Sequence, residues 1–217
     1  MSSTIVIVGA GGQAISITNV ASSCGMRVVA YVDDSKSGTR VLGIPVITKQ
    51  HCIDTYSNEN FVIAIGDNSV REHIYQEYKS DFPNSKFPSL VHQSAVVGLN
   101  SRIGNGTVVM PQANVGPNSI IGEFCIVNTS SSIDHDCEMQ SFSSIAPRVV
   151  TGGGVNIGLR TAISIGATIK HGISIGDDVV IGANSYVDKA IDNNIVAYGT
   201  PCKVVRTRTK GDSYLDY

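Results

Sequence analysis

Hydrophobic positions recur every six residues along nearly half of the chain. From residue 95 to residue 190 the sequence divides without a gap into sixteen hexads, and the third residue is Val or Ile in fourteen of them. Met139 and Thr151 are the exceptions; the first residue of every hexad is small or β-branched, and glycine is the commonest fourth residue. A packed α-helix has a period of about 3.6 residues, so the pattern excludes a helix.

The hexads predict a parallel β-helix. Each would form a short strand and a corner, with its first and third residues on the strand face that points inward. Small first residues and branched third residues fill a narrow triangular interior, and we expect the glycine at the fourth position to permit the corner. With three hexads to a coil, the sixteen hexads make about five coils.

Residues 1–92 lack this period and predict an α/β arrangement. TIVIV, RVVAYV and NFVIAI are apolar strands, and KFPSLV is a short strand that leads into the coils. SVREHIYQEY predicts a helix with Val70, Ile74, Tyr75 and Tyr78 on its apolar face. Strands that alternate with helices indicate a parallel sheet.

Composition and charge exclude several classes of protein. The formal net charge is −2 and no run of Lys or Arg occurs, so the chain offers no basic surface to nucleic acid. No apolar run approaches the ~18 residues of a membrane span, and the N-terminus lacks the basic segment of a signal peptide. Five cysteines without CxxC spacing favour reduced thiols. We expect a soluble cytoplasmic protein with no nucleic-acid or membrane partner.

A glycine-rich turn follows the first strand. Gly9 to Ala14 reads G-x-G-x-x-A, with Asp33 and Asp34 about 20 residues further on. Such glycines let the backbone approach a pyrophosphate at a helix N-terminus, and the aspartates would bond a ribose or base. A dehydrogenase domain needs about six strands, and the fewer than 95 residues available here are too few to form them. We expect a nucleotide-diphosphate site; the alternative is a purely structural turn.

The chain therefore divides into a half-Rossmann domain at residues 1–92, an all-β parallel β-helix at 93–190 and a closing extension at 191–217. We expect the polar end, GDSYLDY, to be mobile.

His135 is the fifth residue of the hexad SSIDHD and should lie at a corner on the outside of the solenoid. Asp134 and Asp136 flank it, and a carboxylate can orient an imidazole and stabilise its protonated form. Gly153 is 18 residues further on, one coil along, so it should stack over His135 with its backbone open to a ligand. The alternatives are an exposed surface histidine and a glycine that eases a corner.

A metal site is not expected. His171 lies 36 residues after His135, two coils away and about 10 Å distant, too far to share one metal within a chain. Cys125 and Cys137 occupy first positions of hexads and are expected to be small core residues.

These features together resemble a known family. A half-Rossmann unit with GAGG and DD, a hexapeptide solenoid, IDHDC inside it and GTPCKVVR near its end are similar to bacterial sugar acetyltransferases. That family includes the bacillosamine and perosamine N-acetyltransferases and the sialic-acid O-acetyltransferases, and its β-helices are left-handed.

The resemblance implies a homotrimer, with acetyl-CoA lying along the solenoid flank between subunits and a nucleotide-linked amino sugar held by the N-terminal domain. It implies that His135 is the general base and that Asp136 supports its imidazole. The positions that match substrate contacts are Gly11, Gly12, Gln13, Asp33, Asp34, Gly66 and Ser69 for the nucleotide sugar, Asn128 for the acceptor sugar, and Ser144, Gly153, Ile165 and Ala183 for acetyl-CoA.

Three positions depart from the family pattern. Gln13 stands where the family usually has a histidine, and it still donates and accepts hydrogen bonds. Ser144 replaces a second histidine nine residues after the base, so its hydroxyl or a backbone N–H must take over any contact with the thioester carbonyl. Cys202 replaces the usual alanine of the closing segment.

The resulting hypothesis is an acetyl-CoA-dependent N-acetyltransferase that acts on a UDP- or dTDP-linked amino-dideoxysugar in surface-glycan biosynthesis. A sugar O-acetyltransferase of the sialic-acid type is the alternative enzyme, and a non-catalytic scaffold is the alternative class. The sequence leaves open the nucleotide, the sugar, the carbon that carries the amine and the length of the acyl group.

Overall fold

A five-stranded sheet forms the N-terminal part of the protein, for which a computed structural model describes residues 3–215. The strands are β1 (Thr4–Val8), β2 (Arg27–Val32), β3 (Arg40–Val41), β4 (Ile44–Ile47) and β5 (Asn60–Ile63), and the helices are α1 (Gly12–Ser23), α2 (Lys49–Tyr56) and α3 (Asn68–Asp81). The strand order is β3-β4-β2-β1-β5, and only β3 and β4 pair antiparallel. The predicted α/β class is confirmed; β3, β4 and α2 are additional to the prediction.

Both faces of this sheet are buried, which is why β1 is continuously apolar. Ile5 and Ile7 point to the face covered by α1, whereas Val6 and Val8 point to the face covered by α2 and α3. Gly9 then turns the chain at φ +104°, and a Cβ there would lie 3.1 Å from the carbonyl oxygen of Ala64. The glycine therefore lets α1 begin directly beside the end of β5.

The apolar face predicted for α3 is partly wrong. Tyr78 is buried, but Val70 is 47% exposed, and the neighbouring Arg71 is 1% exposed. α3 packs against the solenoid as well as against its own sheet, and Arg71 faces that second surface. Its guanidinium donates to the carbonyl oxygens of Phe124 (2.8 Å) and Phe142 (2.9 Å), so it ties α3 to two successive coils.

Residues 90–207 form a β-helix of three sheets, which are named here in the order in which the chain visits them. Sheet 1 contains β6 (Leu90–Val91), β9 (Val108–Val109), β12 (Ile126–Val127), β15 (Ser144–Ile145), β18 (Ala162–Ile163), β21 (Val180–Ile181), β23 (Ile195–Tyr198) and β24 (Lys203–Thr207). Sheet 2 contains β7 (Val96–Val97), β10 (Asn114–Val115), β13 (Ser132–Ile133), β16 (Val150–Thr151), β19 (Thr168–Ile169) and β22 (Tyr186–Val187). Sheet 3 contains β8 (Arg102–Ile103), β11 (Ile120–Ile121), β14 (Glu138–Met139), β17 (Asn156–Ile157) and β20 (Ser174–Ile175).

The hexad register is confirmed. Val115 pairs with Ile133, and Ile121 with Met139, each 18 residues further on, so three hexads make one coil. From Thr107 to Val187 every first and every third residue of a hexad is buried, including the two exceptions to the Val/Ile pattern. The short strand predicted before the coils is β6, which pairs with β9 and is thus the first strand of the solenoid.

The role expected for the fourth-position glycines is wrong. The corner residue with left-handed geometry is the sixth of each hexad, where φ lies between +53° and +69° from Asn100 to Asn184. Most of these residues are not glycine, and the polar types among them tolerate this conformation. At the fourth position of its hexad, Gly104 instead lies against the next coil, where a Cβ would come within 2.5 Å of the carbonyl carbon of Gly122. Glycine is favoured there because neighbouring coils approach closely.

Aromatic side chains at one edge of the solenoid hold the N-terminal part in place. Phe124 and Phe142 lie one above the other where sheet 3 turns into sheet 1, with their rings stacked at 5.2 Å. Tyr75 of α3 packs on Phe124 with ring centroids 4.0 Å apart. The edge from sheet 3 to sheet 1 is therefore covered. Within residues 3–215 no helix is long and apolar enough to span a membrane.

Candidate active site

The glycine-rich turn opens into a cavity of about 660 Å³. Its walls include Gly9, Gly11, Gly12, Gln13, Asp33, Lys36, Gly66 and Asp67. Gly11 is the N-cap of α1 and has no side chain that could accept a hydrogen bond. Ala14 is the first residue of the helix whose backbone N–H is bonded, to the carbonyl oxygen of Gly11. The N–H groups of Gly12 and Gln13 and the positive end of the helix dipole therefore face a cavity suited to an anion such as a diphosphate.

The two aspartates after β2 have different surroundings. Asp33 lines the cavity, and one of its carboxylate oxygens accepts from the Ser35 N–H at 3.1 Å. The Asp34 carboxylate accepts from the backbone N–H of Lys49 at 3.0 Å, at the start of α2, and does not line this cavity. Of the two aspartates, Asp33 is the one that lines the glycine-rich cavity.

Lys36 is a cavity residue that the sequence analysis missed. Its ammonium group donates to the carbonyl oxygen of Ala10 at 3.1 Å, which holds the charge beside the glycine-rich turn. A cation here complements an anionic ligand at the start of α1. A lysine three residues after Asp33 was the available signal, but spacing alone does not distinguish it from a solvated side chain.

A second cavity, of about 290 Å³, continues from the first along sheet 1. It brings together six of the residues singled out from the sequence, namely Gln13, Gly66, Asn128, Ser144, Ile165 and Ala183. The remaining wall is mainly aliphatic, so this cavity is more apolar than the glycine-rich one. Ser69 lies outside both linings.

Gln13 stands at the junction of the two cavities. Its side-chain Nε2 is buried and has no hydrogen-bond partner among the described residues. A buried donor without a partner is costly, and a ligand that spans the two cavities would supply the missing acceptor. This observation favours a ligand with a polar centre at the junction.

His135 lies on another edge of the solenoid, where sheet 2 turns into sheet 3. Its Nδ1 is 2.6 Å from Oδ2 of Asp136, and the Asn118 amide donates to the Asp136 carboxylate at 3.2 Å. The hydrogen bond to Asp136, followed by the charge of Asp134, raises the pKa of His135. The same bond with His135 lowers the pKa of Asp136, so a carboxylate orients the imidazole. Among the described residues, no group hydrogen-bonds the other ring nitrogen, Nε2.

Gly153 lies directly over the imidazole, as the spacing predicted. A Cβ on Gly153 would come within 2.6 Å of both Nε2 and Cε1 of His135. The backbone is held by bonds of Gly154 N–H to the His135 carbonyl and of Gly172 N–H to the Gly153 carbonyl, each 2.9 Å long. The N–H of Gly153 itself donates to no group within residues 3–215, so it is available to a ligand.

The predicted site residues thus form two groups within one chain. Asn128, Ile165 and Ala183 lie at the edge where sheet 1 turns into sheet 2, beside the cavities, whereas His135 and Gly153 lie at the edge from sheet 2 to sheet 3. The imidazole lines neither cavity. Within residues 3–215 no three His, Cys, Asp or Glu side chains are grouped closely enough to hold a metal ion.

The described part of the C-terminal tail lies against the cavities. Tyr214 lines the apolar cavity, and Leu215 lines both. Asp216 and Tyr217 lie outside the described residues.

A three-sheet β-helix carrying a carboxylate-supported histidine, joined to a half-Rossmann unit with an anion cavity, defines a class of acyltransferases. Residues 4–78 match the family model described as the PglD N-terminal domain. The chain is 28% identical over 178 residues to GDP-perosamine N-acetyltransferase of Escherichia coli O157:H7, covering 80% of this chain and 79% of that protein.

Solved structures extend the similarity to the whole fold. PerB from Caulobacter crescentus, in complex with CoA and GDP-perosamine, is 30% identical with a TM-score of 0.88, over 94% of this chain and 97% of that one. The acetyltransferase domain of PglB from Neisseria gonorrhoeae FA1090, in complex with acetyl coenzyme A, is 29% identical with a TM-score of 0.87, over 94% and 100% of the two chains. The chain belongs to this family of hexapeptide-repeat sugar acetyltransferases with a PglD-type N-terminal domain. It is an acyltransferase.

Proposed function

We propose that the protein transfers the acetyl group of acetyl-CoA to the amino group of a nucleotide-linked amino-dideoxysugar. The observation that carries this proposal is the pair of joined cavities, one suited to a diphosphate and one apolar, with the unpartnered Gln13 donor between them. A nucleotide sugar fits the first cavity and the junction. The aliphatic stretch by Ser144, Ile165 and Ala183 suits the acetyl and pantetheine end of acetyl-CoA.

In the proposed reaction the sugar amine attacks the thioester carbonyl carbon. The new C–N bond forms to give a tetrahedral oxyanion, the C–S bond breaks as this species collapses, the CoA thiolate leaves, and the amine loses one proton. Nε2 of His135 takes that proton, and Asp136 stabilises the imidazolium through Nδ1. The open N–H of Gly153 is the donor suited to the oxyanion. A neutral, positioned amine attacks a thioester readily, so no nucleophile from the enzyme is required.

The base and the cavities meet only if two copies of the chain combine. We infer a homotrimer in which the sheet 1–sheet 2 edge of one copy faces the sheet 2–sheet 3 edge of its neighbour. Sheet 2, which lies between these edges, supports this: Val96, Val150 and Tyr186 on its outer face are 60%, 44% and 37% exposed. Apolar side chains aligned on one face suit an interface between copies.

The nucleotide is the least constrained part of the proposal. UDP or dTDP was expected from the sequence, whereas the relatives from Escherichia coli and Caulobacter crescentus carry GDP-perosamine in their names or crystals. GDP-perosamine is therefore the first acceptor to test, with UDP- and dTDP-linked amino sugars beside it.

The test combines binding with turnover. Thermal unfolding with each nucleotide sugar should show a rise in Tm for the acceptor that binds the folded state. Thiol release from acetyl-CoA with the same sugars should then identify the acceptor, and mass spectrometry should show an amide on the product. A product acetylated on oxygen would favour the O-acetyltransferase alternative. If the protein neither bound CoA nor released thiol with any of the sugars, the proposal would be contradicted.

A further inference from the structure

The C-terminal tail, residues 211–215, forms part of the wall between the two cavities. Gly211 and Ser213 line the glycine-rich cavity, Tyr214 lines the apolar one, and Leu215 lines both. A ligand that runs from one cavity to the other must therefore pass the tail at the point where it also meets Gln13 and Gly66.

Tyr214 is held at this junction by its hydroxyl. The hydroxyl accepts from the backbone N–H of Asn68 at 3.0 Å and donates to the carbonyl oxygen of Gly66 at 3.4 Å. Burial raises the pKa of the Tyr214 phenol, so the hydroxyl stays protonated and can act as donor and acceptor. The Gly66 loop and the start of α3 are thereby fixed relative to the tail.

The polar sequence before Tyr214 folds the tail onto the protein. The Asp212 carboxylate accepts from the Thr209 N–H at 3.0 Å and from the Thr209 hydroxyl at 2.6 Å, which closes a tight turn. The Arg208 side chain donates to the Asp212 carbonyl, and its guanidinium lies 5.5 Å from the centre of the Tyr214 ring. Arg208 is itself buried and anchored to the Asn194 carbonyl through its backbone.

We propose that Tyr214 is a positioning residue for the sugar acceptor. The tail directs the sugar from the glycine-rich cavity toward the acetyl donor in the apolar cavity. This inference rests on the proposed function and deepens it, because it names the residue that selects among nucleotide sugars. The ligand is the sugar ring with its hydroxyls, which meets the phenol beside the unpartnered Gln13 amide.

The test separates the two substrates. Tyr214→Phe removes only the hydroxyl, and a chain that ends at Lys210 removes the whole tail. Tyr56→Phe is the matched control, because Tyr56 lies at the end of α2 and lines neither cavity. We expect the KM for the nucleotide sugar to rise by about threefold to tenfold in Tyr214→Phe, the effect of one hydrogen bond, and further in the shortened chain. The KM for acetyl-CoA should change by less than about twofold, and the control should match the wild type.

Several outcomes would overturn the inference. An unchanged sugar KM in both tail variants would show that the tail does not meet the sugar, and a higher kcat/KM in the shortened chain would show that the tail blocks the site. Equal rises in both KM values would indicate general loosening of the site and would overturn the inference as well. A wild-type enzyme without any turnover would overturn the proposed function as well. An active wild type, with tail variants whose KM for the nucleotide sugar is unchanged, would overturn this inference alone.

Discussion

The imidazole of His135 rests against the Cα of Gly153, one coil further along, with no room for a single carbon between them. A Cβ at Gly153 would lie 2.6 Å from Nε2, the atom proposed to accept the proton. Gly153→Ala should therefore push the ring away from its position and lower kcat by about tenfold to a hundredfold, since a general base acts only within hydrogen-bond reach. Steady-state thiol release measures this directly.

The control for this prediction is the same substitution in a His135→Ala background, where no imidazole is present to be displaced. There Gly153→Ala should leave the residual rate unchanged within about twofold, because residues that act as a unit are non-additive. Equal effects in both backgrounds would show that Gly153 acts through something other than the ring.

Asp136 should set the acid limb of the pH profile. Its hydrogen bond is the largest cause of the raised pKa of His135, so activity should rise with pH through a pKa above the ordinary value for histidine, about 6.5. In Asp136→Asn the imidazolium loses its main stabilisation, and the limb should move to lower pH while kcat falls by about tenfold. Asn tolerates the φ of +56° at this corner, so the fold should be retained.

Asp134→Asn provides the comparison, because the charge of Asp134 is the second cause of the raised pKa. Its acid limb should move in the same direction by a smaller amount. A limb that stays in place in Asp136→Asn, or moves to higher pH, would contradict the assignment of His135 as the titrating base.

The hydrogen bonds of Arg71 should contribute strongly to the packing of α3 against the solenoid. Its guanidinium is fully buried and donates to backbone carbonyls of both parts and to the Asn68 side chain at 2.6 Å. Arg71→Ala would leave these acceptors without donors and should lower the free energy of unfolding by about 3–5 kcal/mol, as measured by urea denaturation. Lys79→Ala, at the exposed end of the same helix, should change it by less than about 0.5 kcal/mol. Similar losses in the two variants would contradict this account.

The repeat made most of the solenoid predictable, because a period of six permits few structures and fixes which residues point inward. The same pattern led us to expect the corner at the fourth residue of a hexad, which was wrong. The residue with left-handed geometry is the sixth, as at Phe124 and Asp136, and many residue types occupy it. The need for glycine at the fourth position comes from the coil above, which a single hexad does not contain.

The site was predictable where its chemistry is local and missed where it depends on long-range packing. The His135–Asp136 pair and the glycine-rich turn are contiguous in sequence. Arg71 bonds residues more than 50 positions away, and Tyr214 meets Asn68 from the far end of the chain, so the sequence pattern indicated neither contact. No local pattern encodes such contacts.

The proposal that a base from one copy serves the cavities of another can be tested by mixing two inactive variants. His135→Ala lacks the base, and Ala183→Trp fills the apolar cavity with an indole; each alone should release CoA from acetyl-CoA and GDP-perosamine at under about 1% of the wild-type rate. When the two chains are co-expressed and the trimers that contain both are purified, one site in three combines an intact cavity with an intact His135. We expect about a third of wild-type turnover to return, and mixed trimers as inactive as their parents would contradict a site shared between copies.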